Sequence, residues 1–197
     1  MTPGGEAPAA PVPGDWPPAL EPGPPRLAPL PPEEWDELLV LLADVAGGPE
    51  HALNVFTTLG RHRALFGAFV GFGGALLDGT LPPRTRELAI LRTAARSGAD
   101  YEWHHHAPAA ATAGVTAAEV PALRLPLDRH PWADEDLVVL RAVDEMHDRW
   151  ALGDEAWAAV HGALGDAGAI ELVMLVGQYH LVALALRTLR IAVEEPG

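Results

Sequence analysis

Leu81-Pro-Pro-Arg-Thr-Arg-Glu-Leu-Ala-Ile-Leu-Arg-Thr-Ala-Ala-Arg-Ser-Gly98 runs directly into Ala99-Asp-Tyr-Glu-Trp-His-His-His-Ala-Pro-Ala-Ala-Ala-Thr-Ala-Gly114. Paired prolines before it and a glycine after it punctuate a helix over Arg84–Ser97. Asp100 reads as the N-cap of the next helix, which runs through Ala113 and ends at Gly114. The same punctuation extends outward. Pro31-Pro32-Glu33-Glu34 starts a helix whose apolar stripe covers Trp35–Ala46, and Gly47-Gly48-Pro49 breaks it. Helices follow over Glu50–Leu59 and Arg63–Leu77. Thr116-Ala117-Ala118-Glu119 is a capping box for a short helix. Asp134–Trp150, Asp154–Leu164 and Asp166–Ala192 complete the series. β-branched alternation and hairpin dipeptides are nearly absent. The pattern predicts an all-α domain of about eight or nine helices.

Composition narrows the chemistry. The 197 residues include no cysteine, and all 13 basic residues are arginine. There is one serine (Ser97), one asparagine (Asn54), one glutamine (Gln178) and two tyrosines (Tyr101 and Tyr179). Absence of cysteine excludes disulfides, thiolate nucleophiles and Cys-type metal sites. Absence of lysine excludes Schiff-base chemistry. Ser97 lies outside any G-x-S-x-G context. Nine histidines and 27 carboxylates remain as proton carriers. A net charge of −14 argues against nucleic acid and anionic membrane partners, which need a basic face.

Residues 1–32 hold 12 of the 20 prolines and read as a disordered, Pro-rich tail, with Trp16 its one potential anchor. Residues 33–197 form the helical domain. The uncharged run Ala64–Leu77 is too short to span a bilayer, and Gln178-Tyr179-His180 interrupts the run Leu172–Leu186. The N-terminus lacks the pattern of a signal peptide. The expectation is a soluble, cytoplasmic protein with no membrane partner.

On a wheel of about 100° per residue, Leu88, Ile90, Leu91, Ala94, Ala95 and Gly98 form an apolar arc. Arg86, Arg92, Thr93 and Arg96 lie opposite. Glu87 falls inside the apolar arc, where a carboxylate is costly unless paired. Burial would raise its pKa toward the range useful for general acid or base work; a structural glutamate satisfied by a backbone N–H or an arginine is the other reading. On the next helix Glu102 and His106 are i, i+4 neighbours, with Ala109 and Ala113 continuing their face almost without side-chain volume. An acid–base pair beside a space suits a proton shuttle. Pro108 removes one helical hydrogen bond nearby.

His104 and His106 point about 200° apart and cannot share a metal on a regular helix. Glu102-x-x-His105 matches half of a di-iron bundle signature, and Asp144-x-x-His147 is only a partial second pair. The reading is therefore no metal, with a metal-dependent enzyme at these four residues as an alternative. Gln178-Tyr179-His180 is an anomaly in the most apolar helix: these residues line the same cavity, cap buried backbone, or sit in a subunit interface.

With these residues in place, the chain resembles the carboxymuconolactone decarboxylase / alkylhydroperoxidase-D superfamily over roughly Asn54–Val193. Leu81–Arg92, Ala99–His106 and Ala113-Gly-Val115 carry the resemblance, with echoes at Asn54–Leu59 and Val176-Gly-Gln-Tyr179. It implies an AhpD-like helical bundle, built as a homotrimer or homohexamer with sites near subunit contacts. In the peroxidase branch a helix glutamate precedes a Cys-x-x-Cys and a histidine. By that match Glu87 is the relay glutamate and His106 the relay histidine, while the cysteine positions fall on Ala99 and Glu102. Thiol peroxidase chemistry is thereby excluded. Glu-Trp-x-x-His is similar to the decarboxylase branch, which needs no cofactor.

The expectation is a cofactor-free lyase or isomerase acting on a small oxo-acid or lactone through Glu87, Glu102 and His106. His106 donates the proton, Glu102 orients it and Glu87 tunes the pair. Tyr101 or His105 hydrogen-bonds the enolate, and Arg92 holds the substrate carboxylate. The alternative is a non-catalytic ligand-binding or scaffold protein that keeps only the fold.

Overall fold

A computed structural model describes Leu20, Glu21 and residues 23–194. All regular structure among them is helical: α1 (Glu37–Ala46), α2 (Asn54–Leu59), α3 (Arg63–Leu77), α4 (Pro83–Ser97), α5 (Asp100–Thr112), α6 (Glu119–Ala122), α7 (Asp134–Arg149) and α8 (Asp154–Leu189), with 3-10 turns at Pro32–Glu34, Pro49–His51 and Leu127–Arg129. Gly165, at φ 68°, interrupts α8 where the sequence predicts one helix to end and another to begin. Its later part packs against the core through Leu172, Leu175, Val176, Ala183 and Leu186. By length and composition α8 is apolar enough to cross a membrane.

The central element is α4, which packs against α5, α7 and α8. Its residues 87–94 are all buried, so the two-faced wheel drawn from sequence fails here: α7 covers the face expected to be polar. Between α4, α7 and α8 lies a core containing Ile90, Val139, Val143, Leu172 and Leu175. Each such side chain contributes roughly 1.5–3 kcal/mol by leaving water. A second cluster joins α4, α5 and α7 through Leu88, Leu91, Ala110, Leu123, Trp132 and Leu140.

Local rules explain the connections. Gly98 adopts the left-handed conformation (φ 61°) and closes α4 through its amide to the Ala94 and Ala95 carbonyls. The chain then reverses within two residues, laying α5 back along α4. The N-cap of α5 is Ala99 rather than Asp100, and its side chain makes no capping bond; Asp100 instead accepts from Arg124 Nη2 at 2.9 Å. At the next junction Thr116 and Glu119 make the reciprocal capping box, with Glu119 Oε2 2.7 Å from the Thr116 amide and Thr116 Oγ1 3.3 Å from the Glu119 amide.

Residues 1–19 and 22, including Trp16, lie outside the described residues. The described end of the segment read as a tail packs on the domain. Arg26 N–H donates to the Leu189 carbonyl and Leu30 N–H to the Thr57 carbonyl. Leu30 is buried with Leu39 and Phe66. Prolines there remove donors but leave carbonyls and apolar surface, which suffices for an extended segment to dock.

Arg84 ties α4 to α6 and α7. Its Nη2 lies 2.6 Å from Glu119 Oε1 and 2.7 Å from Asp136 Oδ2. The Arg84 hydrogen bonds hold the Glu119 carboxyl at about 2. A folded-state pKa below the unfolded one contributes stability above the unfolded value, and this is lost as pH falls through the folded value. Wild type should therefore lose stability between about pH 4.5 and 2 more steeply than Glu119→Gln, as measured by urea midpoints across that range.

Candidate active site

The hairpin of α4 and α5 brings Glu87 and His106 together. Glu87 Oε2 is 2.9 Å from His106 Nδ1, with the carboxylate side chain 5% exposed. Arg86 Nε adds an ion pair to Glu87 Oε1 at 3.5 Å, and its Nη1 is tied to the Leu77 carbonyl at 2.8 Å. α8 supplies a third member: the Tyr179 hydroxyl is 3.0 Å from His106 Nε2. The hydrogen-bonded order is thus Glu87–His106–Tyr179. A neutral His106 donates from Nδ1 to the carboxylate and accepts the phenol proton at Nε2. Burial, and then the charges of Glu102 and Glu87, push the Tyr179 pKa up, so this phenol is a donor. Together the three reproduce carboxylate–imidazole–hydroxyl logic, in which the carboxylate sets the ring's tautomer and balances an imidazolium.

Glu102 behaves differently from expectation. Its carboxyl is buried, 3% exposed, and neither oxygen has a hydrogen-bond partner. Contact with His106 comes from Glu87 instead. The i, i+4 spacing permits the Glu102–His106 pair, but the antiparallel neighbour places a carboxylate already flanked by Arg86 against the same ring. Burial pushes the Glu102 pKa well above the usual carboxylate range.

Tyr101 and His105 face another group. Tyr101 OH is 2.5 Å from Glu194 Oε1, and His105 Nε2 is 2.9 Å from Glu194 Oε2. The Asn54 amide also donates to Glu194, at 2.5 Å, and the Val55 amide donates to the Tyr101 oxygen at 3.2 Å. These contacts clamp the chain after α8 onto the start of α2. Both residues, expected beside an enolate, contact Glu194 in this structure. Burial raises the Tyr101 pKa, and burial also holds that of His105 down.

Arg92, expected to hold a substrate carboxylate, lies inside the bundle. It is 4% exposed and its fork grips Asp144, with Nε–Oδ1 at 2.7 Å and Nη2–Oδ2 at 2.6 Å. Its Nη1 donates to the Leu123 and Leu125 carbonyls at 2.7 and 2.8 Å. With all three nitrogens committed, it braces α4, α7 and the chain after α6 rather than holding a substrate.

The four residues of the metal alternative are not gathered. Asp144 is held by Arg92, and His105 by Glu194. His147 Nδ1 lies 2.9 Å from His180 Nε2. Burial, then the charges of Arg96 and His180, hold the His147 pKa at about 4. Among the described residues no group of three or more His, Asp or Glu side chains is placed to hold a metal ion.

Tyr179 is the site residue that sequence reasoning missed as a participant. Its signal was the polar Gln178-Tyr179-His180 interruption of an apolar helix, but which of the three meets His106 depends on how α8 is rotated against α4 and α5.

Comparison with known proteins fits this architecture. Residues 63–143 match the model of the carboxymuconolactone decarboxylase family. Over that segment the chain is similar to this family. The matched segment includes Glu87, Glu102 and His106, whereas Tyr179 lies beyond it. A crystal structure of an uncharacterized peroxidase-related protein from Silicibacter sp. TM1040 shares the fold, with a TM-score of 0.70, 14% identity, and coverage of 86% of this chain and 88% of that one. No curated protein matches the sequence.

If Arg92 is a brace, Arg92→Lys keeps the charge but loses the planar fork. The expected loss is about 3–5 kcal/mol, the scale of a broken buried ion pair. Chemical denaturation measures it; an unchanged urea midpoint would return Arg92 to the ligand-binding candidates.

Proposed function

We propose that this protein is a cofactor-free enzyme that moves protons through Glu87, His106 and Tyr179, decarboxylating or isomerising a small oxo-acid or lactone. One observation carries the reading: a carboxylate buried on the central helix is hydrogen-bonded to an imidazole whose other nitrogen meets a buried phenol. Such a chain returns a proton to carbon without a thiol, a lysine or a bound group.

For loss of CO2 beta to a carbonyl, the carbon–carbon bond breaks and its electron pair enters an enolate. With His106 as imidazolium, its Nε2–H donates to the Tyr179 oxygen, and the freed Tyr179 O–H delivers its proton to carbon. His106, protonated from solvent, restores that proton from Nε2. Glu87 balances the transient imidazolium. Run in the other direction, His106 withdraws the Tyr179 proton and the phenolate removes one from carbon, which is the first half of an isomerisation.

Assembly belongs to the same proposal. Ile170, Val173, Met174, Leu181 and Leu184 are exposed along one stripe of α8, which continues past Tyr179. Leu65, Phe72 and Leu77 are exposed on the adjoining α3. An apolar surface of this extent fits a soluble, cytoplasmic homotrimer or homohexamer whose subunits cover one another near His106. A non-catalytic scaffold is the second reading. Its motive is two surface cavities, at the α1–α2 junction and beside the start of α5, whose lining residues lie away from Glu87, His106 and Tyr179.

Tyr179→Phe should lower turnover about 10²- to 10⁴-fold, and His106→Ala at least as far. Release of CO2 and loss of substrate absorbance across a panel of small oxo-acids and lactones would read this, with circular dichroism reporting that the fold persists. Full activity in folded His106→Ala would sink the relay. Met174→Glu combined with Leu184→Glu should convert the assembly to monomers in light scattering; an unchanged mass would move the interface elsewhere.

A further inference from the structure

Glu102 is a buried polar side chain with no partner, and the groups around it account for its state. Tyr179 on α8 meets His106 at 3.0 Å, and burial together with the nearby Glu102 and Glu87 carboxyl groups pushes its pKa up. Like charges so placed cannot both be sustained cheaply in a buried setting. The two carboxyl groups differ in their partners. Arg86 on α4 and His106 on α5 both bind Glu87, at 3.5 and 2.9 Å. Neither hydrogen-bonds Glu102, whose two oxygens are without a donor. Glu87 thus has cationic and hydrogen-bonding partners, whereas Glu102 has none and burial pushes its pKa well above the usual carboxylate range, toward the neutral acid. Glu102 also sits in the first turn of α5, where the helix dipole favours an anion. That preference, of about 0.3–1 kcal/mol, is small beside the cost of an unpaired buried charge.

A neutral carboxylic acid has one O–H to give. Among the described residues no acceptor meets it: the Tyr179 hydroxyl is engaged with His106 and neither Glu102 oxygen has a hydrogen-bond partner. A buried donor left unused is costly, and such groups are satisfied by water or ligand. We propose that Glu102 donates its O–H to an oxygen of the bound ligand, so that the site selects small molecules presenting a carboxylate or enolate oxygen beside Tyr179. This rests on the reading of Glu87, His106 and Tyr179 as the reaction site. It divides the labour between the carboxyl groups: Glu87 serves His106, and Glu102 donates to the oxygen on which charge develops.

The test uses the intact protein with two probes: oxalate, a planar stand-in for the enolate of an oxo-acid, and acetate. Infrared spectra at neutral pH should contain a carboxylic-acid C=O band that Glu102→Gln removes and that oxalate shifts. Calorimetric affinity for oxalate should weaken by about tenfold per pH unit once Glu102 ionises. Glu102→Gln, which keeps a neutral donor, should bind oxalate like wild type without that pH dependence. Glu102→Ala should bind about 10- to 100-fold more weakly. Absence of the acid band, or equal weakening in the Gln and Ala variants, overturns the proposal. So does a band that neither probe moves, which would make Glu102 a buried structural acid. Should Glu102→Gln fail to fold, the band in wild type and its response to oxalate and pH still decide. None of these readouts measures turnover, so loss of the relay reading through His106→Ala remains a separate result.

Discussion

Glu87 places a carboxylate on the most enclosed helix of the protein, and much of the arrangement follows from satisfying it. An ion removed from water costs several kcal/mol unless partners replace its hydration. Arg86 supplies one partner from the same helix, its guanidinium steadied by the Leu77 carbonyl. The second, His106, has to come from another element. It arrives because Gly98 reverses the chain and lays α5 along α4. Once the ring is fixed by Glu87, its far nitrogen needs a donor, and Tyr179 on α8 provides one. Three helices are thus joined at one polar line through an apolar core.

The same logic recurs with arginine elsewhere. A chain without lysine uses the planar fork to bridge elements: Arg84 links α4 to Glu119 and Asp136, and Arg92 links it to Asp144 and two carbonyls. Forks of this kind satisfy several acceptors at once, which a single ammonium does less well. These pairs give α4 its orientation in the bundle, and hence the direction from which Glu87 meets His106. The anionic surplus of the chain is partly absorbed at such sites.

Much of the fold was legible because its signals are local. The bounds of α3 and α7, the break at Gly165 and the Thr116–Glu119 box each depend on residues within a turn or two. Glu87 and His106 were legible as chemically unusual residues in apolar or small-residue settings. The burial of Arg92 was not legible because a helical wheel assumes one buried face, whereas residues 87–94 of α4 are all buried. The contacts of Tyr101 and His105 were not legible because Glu194, which engages both, lies 93 and 89 positions away. The orienting role was assigned to Glu102 on spacing alone, and spacing states which side chains are able to touch, not which do.

By itself the sequence determined that this is an all-helical chain without thiol or lysine chemistry, carrying acidic and imidazole groups on consecutive helices. Those properties are set by composition and by short-range periodicity. Tertiary structure decided which carboxyl group serves His106, that Tyr179 completes the line, and that Glu102 stands apart without a partner. The physical reason is that a pKa and a hydrogen bond belong to an environment, and here that environment is assembled from α4, α5 and α8, elements far apart in the chain.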